Sequence, residues 1–295
     1  MSAPMFDQIT IIGMGLLGGS IGIGCMQKGL ARKVIGAVRR ESAIDEVMAK
    51  TAAHEATLDI CEAVRTADLV IFAVPIPAIA PLAKTIAAAI AANSIVTDVA
   101  SVKSCVVNRM EAIFGKRCRV VGAHPMAGSE KRSIAIADPA IFLNNVCIIT
   151  PTEKTDKEAI NRVSGLWEAL GMSVKYVSPE QHDQCVALVS HLPHVAAFTL
   201  INTIKRSSHN PHQVIDFAGP GFRDATRIAA SSPELWTEIC LANKETLLGV
   251  VKAYQQELKS FIKTFEKGKT DELCRIFAEA KALKEASNEP SKDKV

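Results

Sequence analysis

The stretch Ile9-Thr10-Ile11-Ile12-Gly13-Met14-Gly15-Leu16-Leu17-Gly18 decides the fold. Its β-branched run predicts a strand, and the glycines that follow form G-x-G-x-x-G where a helix opens. Gly13 permits a tight turn, Gly15 lets the backbone approach a pyrophosphate, and Gly18 lets the helix sit close to the sheet. The helix start at Leu16 and Leu17 then offers unpaired N–H groups and a favourable dipole for phosphate. The glycines alone would equally suit a packing turn. A second strand at the expected distance argues for dinucleotide binding.

That second strand, residues 33–38, ends in Arg39-Arg40-Glu41-Ser42. NAD-binding folds usually place Asp or Glu at this strand end, where it holds the ribose 2′-hydroxyl. Here the position carries Arg39, which cannot accept that bond but whose fork suits a 2′-phosphate. Arg39, Arg40 and Ser42 therefore tilt the expectation toward NADP, with NAD as the alternative. A solvated charge pair is the competing reading of the two arginines.

Strand and helix signals keep alternating. The apolar run Leu69-Val70-Ile71-Phe72-Ala73 ends at Val74 and Pro75, which belong to the expected cofactor-binding edge. An Ala-rich crossover helix follows over 77–92, and a strand over 94–98 leads into Val99-Ala100-Ser101-Val102-Lys103. Ser101 reads either as the N-cap of the next helix or as a hydroxyl facing the nicotinamide. A further run, residues 119–123, carries a strand up to His124 before Pro125 stops it. A histidine at a strand end in an open α/β sheet points into the crevice where ligands bind. Strands at 146–150 and 173–177 flank a helix over 155–170 and complete an α/β Rossmann-type doubly wound parallel sheet, residues 1–178.

From residue 179 to 295 strand signals disappear, and an all-helical dimerisation domain is expected. Ser178 and Pro179 suit the N-cap and first position of a long helix that carries His182, Asp183, Ser190, His191 and His194. His182 and His194 are twelve residues apart, close to whole turns, and Pro193 should kink the helix. No carboxylate or thiol sits at a matching spacing, so no metal is expected. The segment Gly219-Pro220-Gly221-Phe222-Arg223-Asp224-Ala225-Thr226-Arg227 brings two arginines together, a pattern suited to gripping carboxylates. The amphipathic helices at 232–265 and 271–285 suggest a homodimer core, and Trp236 reads as core.

Composition narrows the class further. Of 295 residues, 48% are apolar and 22% charged, which fits an ordinary globular chain. A net charge of +3 gives no argument for nucleic acid or a membrane surface. Eight scattered cysteines with no C-x-x-C suit reduced thiols in the cytoplasm. Residues 9–26 carry no charge, but six are glycine and the leader before them has Asp7 and no Lys or Arg. They read as a buried strand and helix, not a membrane span or signal peptide.

Together these residues resemble the prephenate/arogenate dehydrogenase family of tyrosine biosynthesis. The resemblance rests on five motifs in order: G-x-G-x-x-G at Gly13, Asp98-Val99-Ala100-Ser101-Val102-Lys103, Gly122-Ala123-His124-Pro125-Met126-Ala127-Gly128-Ser129-Glu130, Ser190-His191-Leu192-Pro193-His194, and Gly221-Phe222-Arg223-Asp224-Ala225-Thr226-Arg227. It implies oxidative decarboxylation of prephenate or arogenate, a small-molecule substrate, with hydride transfer to NAD(P). His124 would accept the ring-hydroxyl proton, and Ser101 would orient that hydroxyl and the nicotinamide. Arg227 would hold a substrate carboxylate with Arg223 assisting at the other end. Glu130, His182, His194 and Asp224 would order the pocket. No segment is expected for the fused mutase or regulatory domain that some relatives carry, so any control by tyrosine would act at the active site. The competing readings are a hydroxyacid or imine dehydrogenase, which would need a catalytic lysine in the helical half, and a non-catalytic NADP sensor.

Overall fold

Alternate residues of the apolar runs face opposite sides of one sheet. Leu69 and Ile71 join a core shared with Ile9, Ile11, Ile21 and Trp167, while Val70 and Phe72 join a second core with Val96, Ile79, Met110 and Trp236. This is how a parallel strand covered on both faces must read. The computed structural model describes residues 3–128 and 133–287.

The strands are β1 (Phe6–Ile12), β2 (Ala31–Ala37), β3 (Glu55–Thr57), β4 (Leu69–Phe72), β5 (Ile95–Asp98), β6 (Arg119–Pro125), β7 (Val146–Thr150) and β8 (Ser173–Tyr176). They lie in the order β3-β2-β1-β4-β5-β6-β7-β8. Every pairing is parallel except β6 with β7, where His124 stands opposite Ile148 and Pro125 opposite Cys147. The strand thus runs on through His124 and stops at the proline, as expected. Chain order reverses between β1 and β4, the switch point where dinucleotides bind.

Helices α1 (Leu16–Lys28), α2 (Ser42–Ala49), α3 (Ile60–Ala63), α4 (Ile76–Ile86), α5 (Ser104–Phe114) and α6 (Lys157–Leu170) alternate with these strands. The helical half follows as α7 (Pro179–Val186), α8 (Leu192–Ser207), α9 (Pro211–Ile215), α10 (Pro220–Thr226), α11 (Pro233–Ala242), α12 (Lys244–Glu266) and α13 (Thr270–Ala286). Ser178 caps α7 in a full capping box with Gln181, and Pro179 takes the first turn. Between α7 and α8 the backbone widens into a π turn, Ala187–His191, and Pro193 sits in the first turn of α8. The break in the long helix is therefore a wide turn just before the proline. By length and composition the run Pro179–Ser207 is apolar enough to cross a membrane, a test that core helices of soluble proteins also pass.

The chain divides into two compact units, Met1–Leu247 and Leu248–Val295. The first unit includes α7, α8 and α11, because Trp236 and Ile239 of α11 belong to the same core as α4 and α5. In the second, Phe261 stacks on Phe265 and tilts against Phe277.

Candidate active site

The glycine turn has the shape the motif demands. Gly13 has φ +96°, and a side chain there would meet the Ala73 carbonyl at 2.5 Å and Val74 Cγ1 at 2.6 Å. A Cβ on Gly18 would lie 1.9 Å from the Gly13 carbonyl oxygen. No substituent fits at either place. Gly15 is the extended N-cap of α1 and supplies no side-chain cap, so the first-turn N–H groups around Leu16 and Leu17 remain for an anion. Val74 and Pro75 follow β4 across the switch point. This open helix start, hemmed by backbone, fits a pyrophosphate.

At the end of β2 the two arginines divide their work. Arg40 makes both of its bonds, 2.9 and 3.1 Å, to the Glu46 carboxylate. Arg39 is exposed and has no ion-pair partner among the described residues. Ser42 is the exposed first residue of α2. Of the two arginines, Arg39 is the one without an ion pair among the described residues.

Three side chains at the C-terminal edge of β6 form a line. His182 Nδ1–H donates to Asp183 Oδ1 at 2.8 Å, which leaves Nε2 of His182 as an acceptor. His124 Nδ1 lies 2.8 Å from that Nε2 and donates to it. These tautomers are assigned from the carboxylate, which can only accept. His124 therefore presents the lone pair of its own Nε2, the form a general base needs. Burial, then the neighbouring His182, Lys103 and His191, holds the His124 pKa well below 6.5. Burial also lowers that of His182, and the bond to Asp183 opposes the shift. Burial pushes the Asp183 carboxyl up, but bonds from His182 and two backbone N–H groups outweigh it and hold the group ionised.

Those two N–H groups belong to Lys103 and Ser104, at 2.7 and 2.9 Å, the start of α5. The cap of α5 thus comes from Asp183 on α7. Ser101 makes no capping bond: Lys103 is the N-cap residue and no side chain of its own turn caps the helix. This corrects the N-cap reading of Ser101, because a carboxylate 80 residues downstream takes the site. Ser101 is instead half-buried in the turn between β5 and α5.

The other expected residues fall into two groups. His194 Nδ1–H donates to the Ser190 carbonyl at 2.9 Å, and the ring stacks on Trp236 with ring centroids 3.6 Å apart. Trp236 is core, as expected, and also the floor under His194. Burial lowers the His194 pKa and nearby Arg227 lowers it further, so Arg227 reaches the same neighbourhood. Arg223, Asp224 and Arg227 are exposed on α10 and the 3₁₀ turn after it, and no ion pair joins them. No hydrogen bond links His182 to His194 among the described residues. Glu130 lies outside the described residues.

Four residues of this site were not singled out as chemical groups by sequence reasoning. Asp183 orients His182, Asn243 Nδ2 donates to the Asp183 carbonyl and lies 3.3 Å from His191 Nδ1, and buried Asp98 pairs with buried Lys103. One signal was available: Asp98 and Lys103 are charges at the end of an otherwise apolar strand and turn.

A family model described as prephenate dehydrogenase, nucleotide-binding domain, matches residues 22–176, and one described as prephenate dehydrogenase, dimerization domain, matches 178–279. The chain belongs to the prephenate dehydrogenase family. Prephenate dehydrogenase of Bacillus subtilis is 33% identical over 94% of this chain and 75% of its own length. Cyclohexadienyl dehydrogenase of Zymomonas mobilis is 33% identical over 94% of each chain. The solved structure of Aquifex aeolicus prephenate dehydrogenase with hydroxyphenyl propionate and NAD+ has a TM-score of 0.90 at 31% identity, over 98% of this chain and 99% of that one. Membership makes the chain an oxidoreductase with a Rossmann nucleotide-binding fold that uses NAD(P).

Proposed function

We propose that this enzyme oxidatively decarboxylates prephenate to 4-hydroxyphenylpyruvate, arogenate to tyrosine, or both, and that it favours NADP. The observation that carries this reading is the line Asp183–His182–His124 at the sheet edge beside the glycine crevice. A bound nicotinamide supplies the acceptor for the hydride that leaves C4 of the substrate ring.

His124 Nε2 takes the proton of the ring hydroxyl as the C4–O bond becomes a carbonyl. The imidazolium that forms is stabilised through His182 by the ionised Asp183. The electron pair of the ring–carboxylate bond then enters the ring as carbon dioxide leaves, and His124 returns its proton to the phenolate. Aromatisation drives this second step, so the chain mainly positions the substrate and handles one proton. Ser101 orients the hydroxyl, Arg227 grips the side-chain carboxylate, and Arg223 assists. His194, Asp224 and Glu130 order the pocket.

Arg39 supports the cofactor preference, since its fork pairs bidentately with a 2′-phosphate and cannot accept the bond that a 2′-hydroxyl donates. Residues 1–178 act as the nucleotide-binding domain and 179–295 as the helical substrate and dimerisation domain of a cytoplasmic homodimer. Exposed Leu188, Val189 and Leu200 give the helical run an apolar face for the partner copy. The test is reduction of NADP and of NAD, read by absorbance, with prephenate and with arogenate. Cofactor binding without turnover on either substrate would leave an NADP sensor in its place.

A further inference from the structure

Lys103 and Asp98 are both fully buried, and no step above uses them. A buried ammonium is expensive to desolvate, and an apolar side chain would fill the same space without that cost. Its contacts show what the charge holds. The ammonium pairs with Asp98 Oδ1 and donates to the Ala123 carbonyl at 2.7 Å. Asp98 ends β5 and also accepts from the Ala100 N–H at 2.8 Å, so this bridge closes the turn that carries Ser101. Ala123 is the residue before His124 on β6. At the same time the Lys103 main-chain N–H holds Asp183 at 2.7 Å. One residue therefore grips both ends of the Asp183–His182–His124 line, by backbone at one end and by side chain at the other.

We propose that Lys103 is a positioning residue for proton transfer, setting the span from Asp183 to His124 and the placement of the Ser101 turn against it. The proposal rests on the reading of His124 as the base of the reaction.

The fixed cation has an electrostatic consequence. The groups that face His124 are His182 from α7, Lys103 from the β5–α5 turn, His191 from the π turn and the Cys147 thiol of β7 beside its backbone N–H. Asp183 and Asp98 stand behind His182 and Lys103 respectively. Burial does most to keep the His124 ring in the base form, and Lys103, after His182, adds to it by opposing protonation.

The variant Asp98→Asn/Lys103→Met removes both charges at once and keeps the volume. We expect its kcat to fall by about tenfold or more while the KM for the nicotinamide nucleotide holds within about twofold. The acid limb of its kcat profile moves to higher pH, since His124 protonates more readily without the cation. A merely structural role would lower the melting temperature and leave that limb in place. A folded double variant with wild-type kcat and an unmoved limb overturns the proposal. A second measurement needs neither a substitution nor turnover: NMR titration of the His124 ring in the unmodified protein. The ring stays neutral and protonated at Nδ1 through about pH 6 to 7, where a free histidine titrates. A midpoint in that range overturns the proposal even if the double variant fails to fold. Absence of turnover by the unmodified protein would count against the proposed reaction alone, and the ring titration of the unmodified protein against the double variant would still read the effect of the Lys103 charge on His124.

Discussion

His182 stands between His124 and Asp183 with 2.8 Å on either side, so a carboxylate on α7 dictates which nitrogen of a β6 histidine is free to take a proton. In Asp183→Asn the amide can turn its NH₂ toward His182, reverse the donor order, and leave His124 with its proton on the wrong nitrogen. The expected result is a fall in kcat of about a hundredfold or more, with cofactor KM nearly unchanged. Steady-state kinetics with saturating cofactor checks it. The same change weakens the cap of α5, so the melting temperature also falls.

His124→Asn and Arg227→Gln should separate chemistry from binding. The first removes the base and is expected to lower kcat by about 10² to 10⁴ with little change in substrate KM. The second removes a bidentate grip and is expected to raise substrate KM by about tenfold or more with a smaller effect on kcat. The reverse pattern in the two kinetic constants would contradict the roles assigned to them.

Arg39→Ala removes a cation at the end of β2 that has no ion-pair partner among the described residues. The KM for NADP should rise by about tenfold or more, while that for NAD changes little. Arg40→Ala is the control, because Arg40 is already spent on Glu46. Equal effects of the two substitutions would remove Arg39 from the cofactor site.

Acid should destabilise the fold through its buried histidines. Burial pulls the His191 pKa down from 6.5 to about 4, and His124 and His182 shift the same way. The unfolded chain thus binds more protons than the folded one below pH 6.5. Stability from His191 is intact above that pH and is lost as pH falls through about 4, a change on the order of 3 kcal/mol. Denaturant melts across this window should show a flatter pH dependence for His191→Gln than for the unmodified protein.

Local pattern made the nucleotide half legible. The run Ile9-Thr10-Ile11-Ile12 and the glycines after it carry their own turn geometry, and Gly13 and Gly18 sit where the motif requires. His124 was visible too, since a strand that meets a proline announces its own end. The line behind His124 was not. Asp183 and His182 are adjacent in sequence, but nothing local says that they reach β6 and α5, 58 and 80 residues back. For the same reason Ser101 looked like a helix cap: sequence supplies a plausible near partner and cannot display a distant better one. Lys103 was hidden by the rule that charged residues seek water, which this residue breaks.

The wide turn at Ala187–His191 also sets the phase of the helix. Twelve residues of regular helix overshoot three turns by about a third of a turn, which would send His182 and His194 in different directions. A turn closed one residue later takes up the surplus, so eleven effective residues make about three turns. Closing that turn regularly with all twelve residues kept would rotate His194 by about a third of a turn, off Trp236, whereas deleting one residue there would keep the phase. The aim of the pocket therefore hangs on one residue of slack, which a substitution that lets the turn close regularly could retune without touching any group that meets the substrate.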